Sequence, residues 1–123
     1  MTTAVIGATG RVGSEIVGGV LARGGAVTAL VRDSGKARRA FGEPGGLHIR
    51  PTRLDDPRDL TEAFDGIRTV FIAMGSTGIE GVLQRIAVSA AAGISSIQQV
   101  TRLLVLNASA DSLLITRVDD PGR

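Results

Sequence analysis

Gly7, Gly10 and Gly13 recur at every third position between an apolar run, Thr3 to Ile6, and a helical pattern, Val12 to Arg23. A tight turn requires one glycine. Three in register at the junction of a strand and a helix demand that the backbone turn sharply, leave an open place beside the turn, and bring the helix close to the strand. Few arrangements other than a strand-turn-helix unit of an α/β sheet meet all of these conditions.

The rest of the chain repeats that unit. Ala26 to Val31 reads as a second strand and Gly35 to Phe41 as a short helix. His48 to Pro51 reads as a weak third strand, Arg58 to Phe64 as a helix, and Thr69 to Met74 as a fourth strand. Asp56-Pro57 marks a helix start, with an acid to cap it and a proline at the first helical position. Gly81 to Ala92 follows as a helix whose apolar residues Val82, Leu83, Ile86, Ala87 and Ala90 share a face, and Leu103 to Leu106 is a fifth strand. The strands are continuously apolar rather than alternating, which a parallel sheet covered on both faces demands. The expected class is therefore α/β, a doubly wound parallel sheet. Right-handed crossovers and a reversal of direction after the third strand predict the order 3-2-1-4-5, with the first strand central. At 123 residues, the reading is one dinucleotide-binding domain over residues 1–123 with no separate substrate domain.

In this sheet type ligands bind at the carboxyl ends of the strands, where the glycines lie. Gly7 permits the turn, Gly10 leaves room for a pyrophosphate against the backbone, and Gly13 lets the helix pack on the sheet. The N-terminus of that helix, through Arg11 and Val12, offers free amide donors to the phosphates, Thr9 adds a hydroxyl and Arg11 a cation. Cofactor choice is read at the end of the second strand, Leu30-Val31-Arg32-Asp33. Arg32 stands where a ribose-binding acid would favour NAD, and Lys36, Arg38 and Arg39 add positive field, which predicts NADP. Asp33 carries the competing reading: a strand ending one residue later would put a carboxylate there and favour NAD.

Composition excludes other chemistries. There are no cysteines and His48 is the single histidine, so no thiolate or imidazole cluster is available and no metal site is expected. The cations are thirteen arginines and one lysine, and seven of the fourteen fall from Arg32 to Arg58. With three phenylalanines as the only aromatics, and no basic helix, this cluster suits a phosphate-bearing small ligand or a solvated surface better than nucleic acid. No apolar run reaches membrane-spanning length, and Met1 leads straight into a strand without a secretory pattern, so a cytoplasmic protein away from membranes is expected.

The segments AVIGATGRVGSEIV, ALVRDSGKA, AFDGIRTVFIAMG and VTRLLVLNASADSL together resemble the NmrA-like, atypical short-chain dehydrogenase/reductase group of NAD(P)-binding proteins, from Thr2 to about Ile115. The resemblance implies a Rossmann-like fold. It also implies that Ala73, Met74 and Gly75 pass along the adenosine ribose, and that Asn107, Ala108 and Ser109 approach the nicotinamide. Where the group carries Gly-Asp-Leu after the third strand, this chain has Thr52-Arg53-Leu54, and Arg53 cannot accept a hydrogen bond from the adenine amine. Leu54 and Asp55 remain as candidate contacts there.

Two further departures bear on activity. Such proteins normally continue beyond the point where this chain ends, at Arg123. Either the sequence is a truncated product, or a minimal binding domain covers an exposed fifth-strand edge by pairing with a second copy or a protein partner. Reductases of the Tyr-x-x-x-Lys kind use a tyrosine hydroxyl as acid, and this chain has no tyrosine. Ser109 lacks a tyrosine or histidine partner, and Ser76, Thr77 and Glu80 suit cofactor contacts or a helix cap. No catalytic residue is named. The expectation is a binding or redox-sensing module for NADP(H), with an NADPH-dependent quinone or carbonyl reductase as the alternative.

Overall fold

The computed structural model describes residues 2–74, 78–105 and 113–119, with side chains described over 3–74 and 78–102. The elements in chain order are β1 (Thr2–Ile6), α1 (Arg11–Ala22), β2 (Ala26–Val31), α2 (Ser34–Phe41) and β3 (Leu47–Pro51). They continue with α3 (Pro57–Ala63), β4 (Thr69–Ile72), α4 (Gly78–Ala92), β5 (Gln99–Val105) and β6 (Leu113–Asp119). The sheet order is β3-β2-β1-β4-β5-β6. Its first five strands pair in parallel in the expected order, with β1 between β2 and β4.

Alternate residues of each strand serve opposite faces. Ala4, Ile6, Leu30, Val70, Ile72 and Val100 join Leu60, Phe64, Ala87 and Ala91 in one core, under α3 and α4. Val5, Val27, Ala29 and Val31 join Val17 and Ala37 in the other, under α1 and α2. Phe64 and Leu60 are fully buried, and each such side chain contributes about 1.5–3 kcal/mol relative to exposure. The helices start as their sequences dictate. Asp33 accepts a hydrogen bond from the Lys36 amide at the head of α2, and Asp56 one from the Arg58 amide, with Pro57 at the head of α3.

Three expectations need correction. The fifth strand starts earlier, at Gln99, and its edge is not open. β6 pairs with it antiparallel from Gln99 opposite Asp119 to Val105 opposite Leu113, so the premise of a bare β5 edge seeking a partner falls. The third correction is the face of α4. Its buried residues are Gly81, Gln84, Ala87 and Ala91, while Val82 lies outward, 45% exposed, beside the more exposed Ile79. Apolar residues occur on both sides of this helix, so its pattern alone does not fix its rotation.

Candidate functional site

A cleft of about 530 Å3 opens at the carboxyl ends of β1, β2 and β4. It is lined by the glycine turn Gly7-Ala8-Thr9-Gly10, by Leu30, Val31, Arg32, Asp33 and Lys36 from the β2 end and α2, by Leu54, and by Ala73, Met74 and Glu80.

The glycines divide the work by position. Gly7 has φ +79, and a Cβ there would strike the Ala73 carbonyl oxygen. A Cβ on Gly13 would strike the carbonyl oxygen of Gly7, so α1 packs directly on the turn. Gly10 differs: a Cβ would lie 3.3 Å from the Gly7 carbonyl oxygen, a tight but far milder approach. The fold thus requires Gly7 and Gly13 to be bare and nearly tolerates a side chain at Gly10, where the open space belongs to the cleft.

α1 begins without a side-chain cap and without an acid in its first turn. The Gly10 amide is spent on the Gly7 carbonyl, and the Ser14 amide is the first to bond back into the helix, on Gly10. Among the described residues the amides of Arg11, Val12 and Gly13 between them have no acceptor, as expected of a helix's first donors, and they are joined to a partial positive charge. An anion suits them.

At the β2 end the strand stops at Val31, and Arg32 and Asp33 both line the cleft beyond it. One oxygen of the Asp33 carboxylate accepts the Lys36 amide at 3.1 Å, capping α2. Arg32 and Lys36 are exposed at the cleft, and among the described residues neither side chain forms an ion pair. The cleft thus has two cations at one end, with the Asp33 carboxylate beside them, and the amides of α1 toward the other.

Leu54 is held by a clamp on the β3–α3 turn. Asp59 accepts the Arg53 amide at 2.7 Å and the Arg50 guanidinium at 3.3 Å. Thr52 is buried, receives Arg50 at 3.1 Å, and donates its amide to the Val31 carbonyl at 2.8 Å. The Arg53 amide, with help from Arg50, holds the Asp59 carboxyl below its usual range.

Of the residues singled out from sequence, Gly7, Thr9, Gly10, Arg32, Lys36, Leu54, Ala73 and Met74 meet in the cleft. Arg11, Val12 and Gly13 stand behind it in the first turn of α1. Asp55 is turned to solvent, 3.9 Å from Arg53. Gly75, Ser76, Thr77, Leu106, Asn107, Ala108 and Ser109 lie outside the described residues. Ala8, Leu30 and Val31 also line the cleft; their signal was position, since each sits at a strand end or within the glycine turn. Among the described residues no group of acids and histidine could hold a metal ion, and no helix is long and apolar enough to cross a membrane.

The profile of a protein family described as NAD(P)H-binding matches residues 7–116. No curated protein sequence matches the chain. Among solved structures, the fold is similar to that of an NADPH-dependent quinone oxidoreductase from Escherichia coli complexed with NADPH, with TM-score 0.70 and 23% identity over 81% of this chain and 35% of the other. It is similar to yeast methylglyoxal/isovaleraldehyde reductase complexed with NADPH, with TM-score 0.67 and 21% identity over 83% of this chain and 37% of the other. Triphenylmethane reductase from Citrobacter sp., complexed with NADP(H), matches with TM-score 0.67 and 25% identity over 81% of this chain and 36% of the other. The chain thus spans little more than a third of the length of these structures.

Proposed function

The chain belongs to the NAD(P)H-binding family, and from that premise we propose that it takes up NADP(H) in preference to NAD(H) and acts as a binding or redox-sensing module in the cytoplasm. The observation that supports the preference is that one oxygen of Asp33 is engaged in the α2 cap, while Arg32 and Lys36 line the cleft beside it and, among the described residues, form no ion pair. A guanidinium forms paired, charge-assisted hydrogen bonds with a 2′-phosphate and offers a bare ribose only donors to hydroxyl oxygens.

The remaining contacts follow along the cleft. The pyrophosphate rests on Gly10 and the amides of Arg11, Val12 and Gly13, with Thr9 beside it. Ala73 and Met74 border the adenosine ribose, and Leu54 packs against the base. When bound, the cofactor supplies a hydride at its nicotinamide; the chain's own residues bind and orient it. No side chain in the cleft is assigned a proton transfer, and none is needed for a module that reports cofactor occupancy.

A second reading, hydride transfer to a quinone or carbonyl with solvent supplying the proton, draws support from the reductase names of the similar structures. Calorimetric titration with NADPH and NADH, followed by assay of NADPH oxidation against quinones and carbonyl compounds, separates the readings. Saturable, NADPH-preferring binding without oxidation is expected. Tighter NADH binding would overturn the preference, and substrate-dependent oxidation would replace the module with the reductase.

A further inference from the structure

We propose that Gln84 is a positioning residue for the dinucleotide cleft, fixing the end of β4 from within the core under α4; the inference rests on the dinucleotide reading above. Gln84 is 2% exposed and shares the buried face of α4 with Gly81, Ala87 and Ala91. The core on that side is otherwise built from residues such as Ile72, Ala87 and Ile97. A buried amide costs free energy unless it is hydrogen-bonded, whereas an apolar side chain of similar volume costs nothing of the kind.

One contact of the amide reaches the wall of the cleft. Gln84 Nε2 donates to the Met74 carbonyl oxygen at 3.3 Å. A carbonyl can only accept, so this bond also assigns which amide atom faces it. Met74 and Ala73 line the cleft. The Ala73 amide donates to the Ile6 carbonyl at 2.8 Å, and the Ala73 carbonyl is the group that a side chain on Gly7 would strike. The Gln84 bond therefore holds the far end of a two-residue backbone run whose near end abuts the glycine turn. Without the donor, the Met74 peptide must find another partner, and the wall against Gly7 loses its set orientation. A leucine at position 84 would pack as well and orient nothing.

The test uses NADP+ titrated calorimetrically into the wild type and Gln84→Met, with thermal unfolding of both. Gln84→Met is expected to unfold somewhat below the wild-type temperature, because the buried Met74 carbonyl loses its donor, and to bind about three- to tenfold more weakly, the reach of one neutral hydrogen bond. A merely structural glutamine would lower the unfolding temperature and leave the affinity for NADP+ unchanged. A second measurement needs no variant: in the wild type, the side-chain amide resonance of Gln84 should shift along the NADP+ binding isotherm. Wild-type affinity in Gln84→Met, or a Gln84 resonance unmoved at saturation, overturns the inference and leaves the dinucleotide reading standing. A wild type that binds neither NADP+ nor NAD+ overturns the reading itself and the inference with it.

Discussion

The two ends of the cleft are built from opposite materials. At the glycine turn the site consists of backbone and of side chains that are missing: Gly10 leaves the space, and the first turn of α1 has neither cap nor acid to occupy its amides. At the β2 end it consists of charged side chains, Arg32, Lys36 and an Asp33 that also caps α2. Backbone recognition reads what every dinucleotide has in common, and it fails sterically, all at once. Side-chain recognition reads the difference between dinucleotides, and it fails by degrees, with a share that salt screens.

The largest effect belongs to the turn, where a fold requirement and a ligand requirement can be pulled apart. Gly13→Ala forces a methyl group onto the Gly7 carbonyl. The struck atom is backbone, so the cost should reach the upper end of the overpacking range, roughly 3 kcal/mol of stability, read from urea denaturation. Gly10→Val, at the N-cap of α1, should cost less stability than Gly13→Ala, about 1 kcal/mol, yet weaken NADPH and NADH alike by about a hundredfold or more, or about 2.7 kcal/mol. Undiminished binding by Gly10→Val would remove the pyrophosphate from this turn.

At the other end the effects are graded and selective. Arg32→Ala should cost NADPH about 2 kcal/mol, one to two decades of affinity, and hardly alter NADH. Asp33→Ala should lower stability by about 1 kcal/mol through the lost cap while the preference for NADPH persists. A swing toward NADPH on removing Asp33, from a wild type that favours NADH, would show the carboxylate on a ribose rather than on the Lys36 amide.

How far the sequence reveals this molecule depends on whether a feature is local. The glycine spacing, the apolar strands and the Asp56-Pro57 start are each set by neighbours in the chain, and the five parallel strands and the Asp56 cap follow from them. β6 was illegible because it is defined by its partner: Leu113–Asp119 becomes a strand by completing the edge of β5. The rotation of α4 was illegible because Val82 and Ile86 on one side balance Leu83 and Ala87 on the other, and packing decides. Gln84 on its buried side was missed for the same reason. The capping role of Asp33 was legible too, since an aspartate just ahead of a short helix is a cap signal in its own right, but it competes with the reading of that residue as a ribose ligand.

The smallest effect concerns the clamp beside the β2 end, where Asp59 steadies the Thr52–Leu54 wall. Its carboxylate accepts the Arg53 amide first and the Arg50 guanidinium second, and both lower its pKa from the ordinary 3.8 while desolvation opposes them. A carboxyl whose pKa is lower folded than unfolded adds stability above the unfolded value and loses it as pH falls through the folded one. The clamp should therefore act in full at neutral pH and fade below 3.8. The side chains of Arg50 and Asp59 are 28% and 25% exposed, so solvent screens the pair and the contribution is small. Asparagine imitates the protonated carboxyl in shape and charge, which makes Asp59→Asn the natural comparison. Its urea midpoint should lie below the wild type's at pH 7, and the two should converge as the wild type's own carboxyl takes up its proton. A gap that stays constant down to about pH 2.5 would assign the clamp to packing and the Thr52 contacts, leaving the carboxylate's charge without a part in holding Leu54 to the cleft.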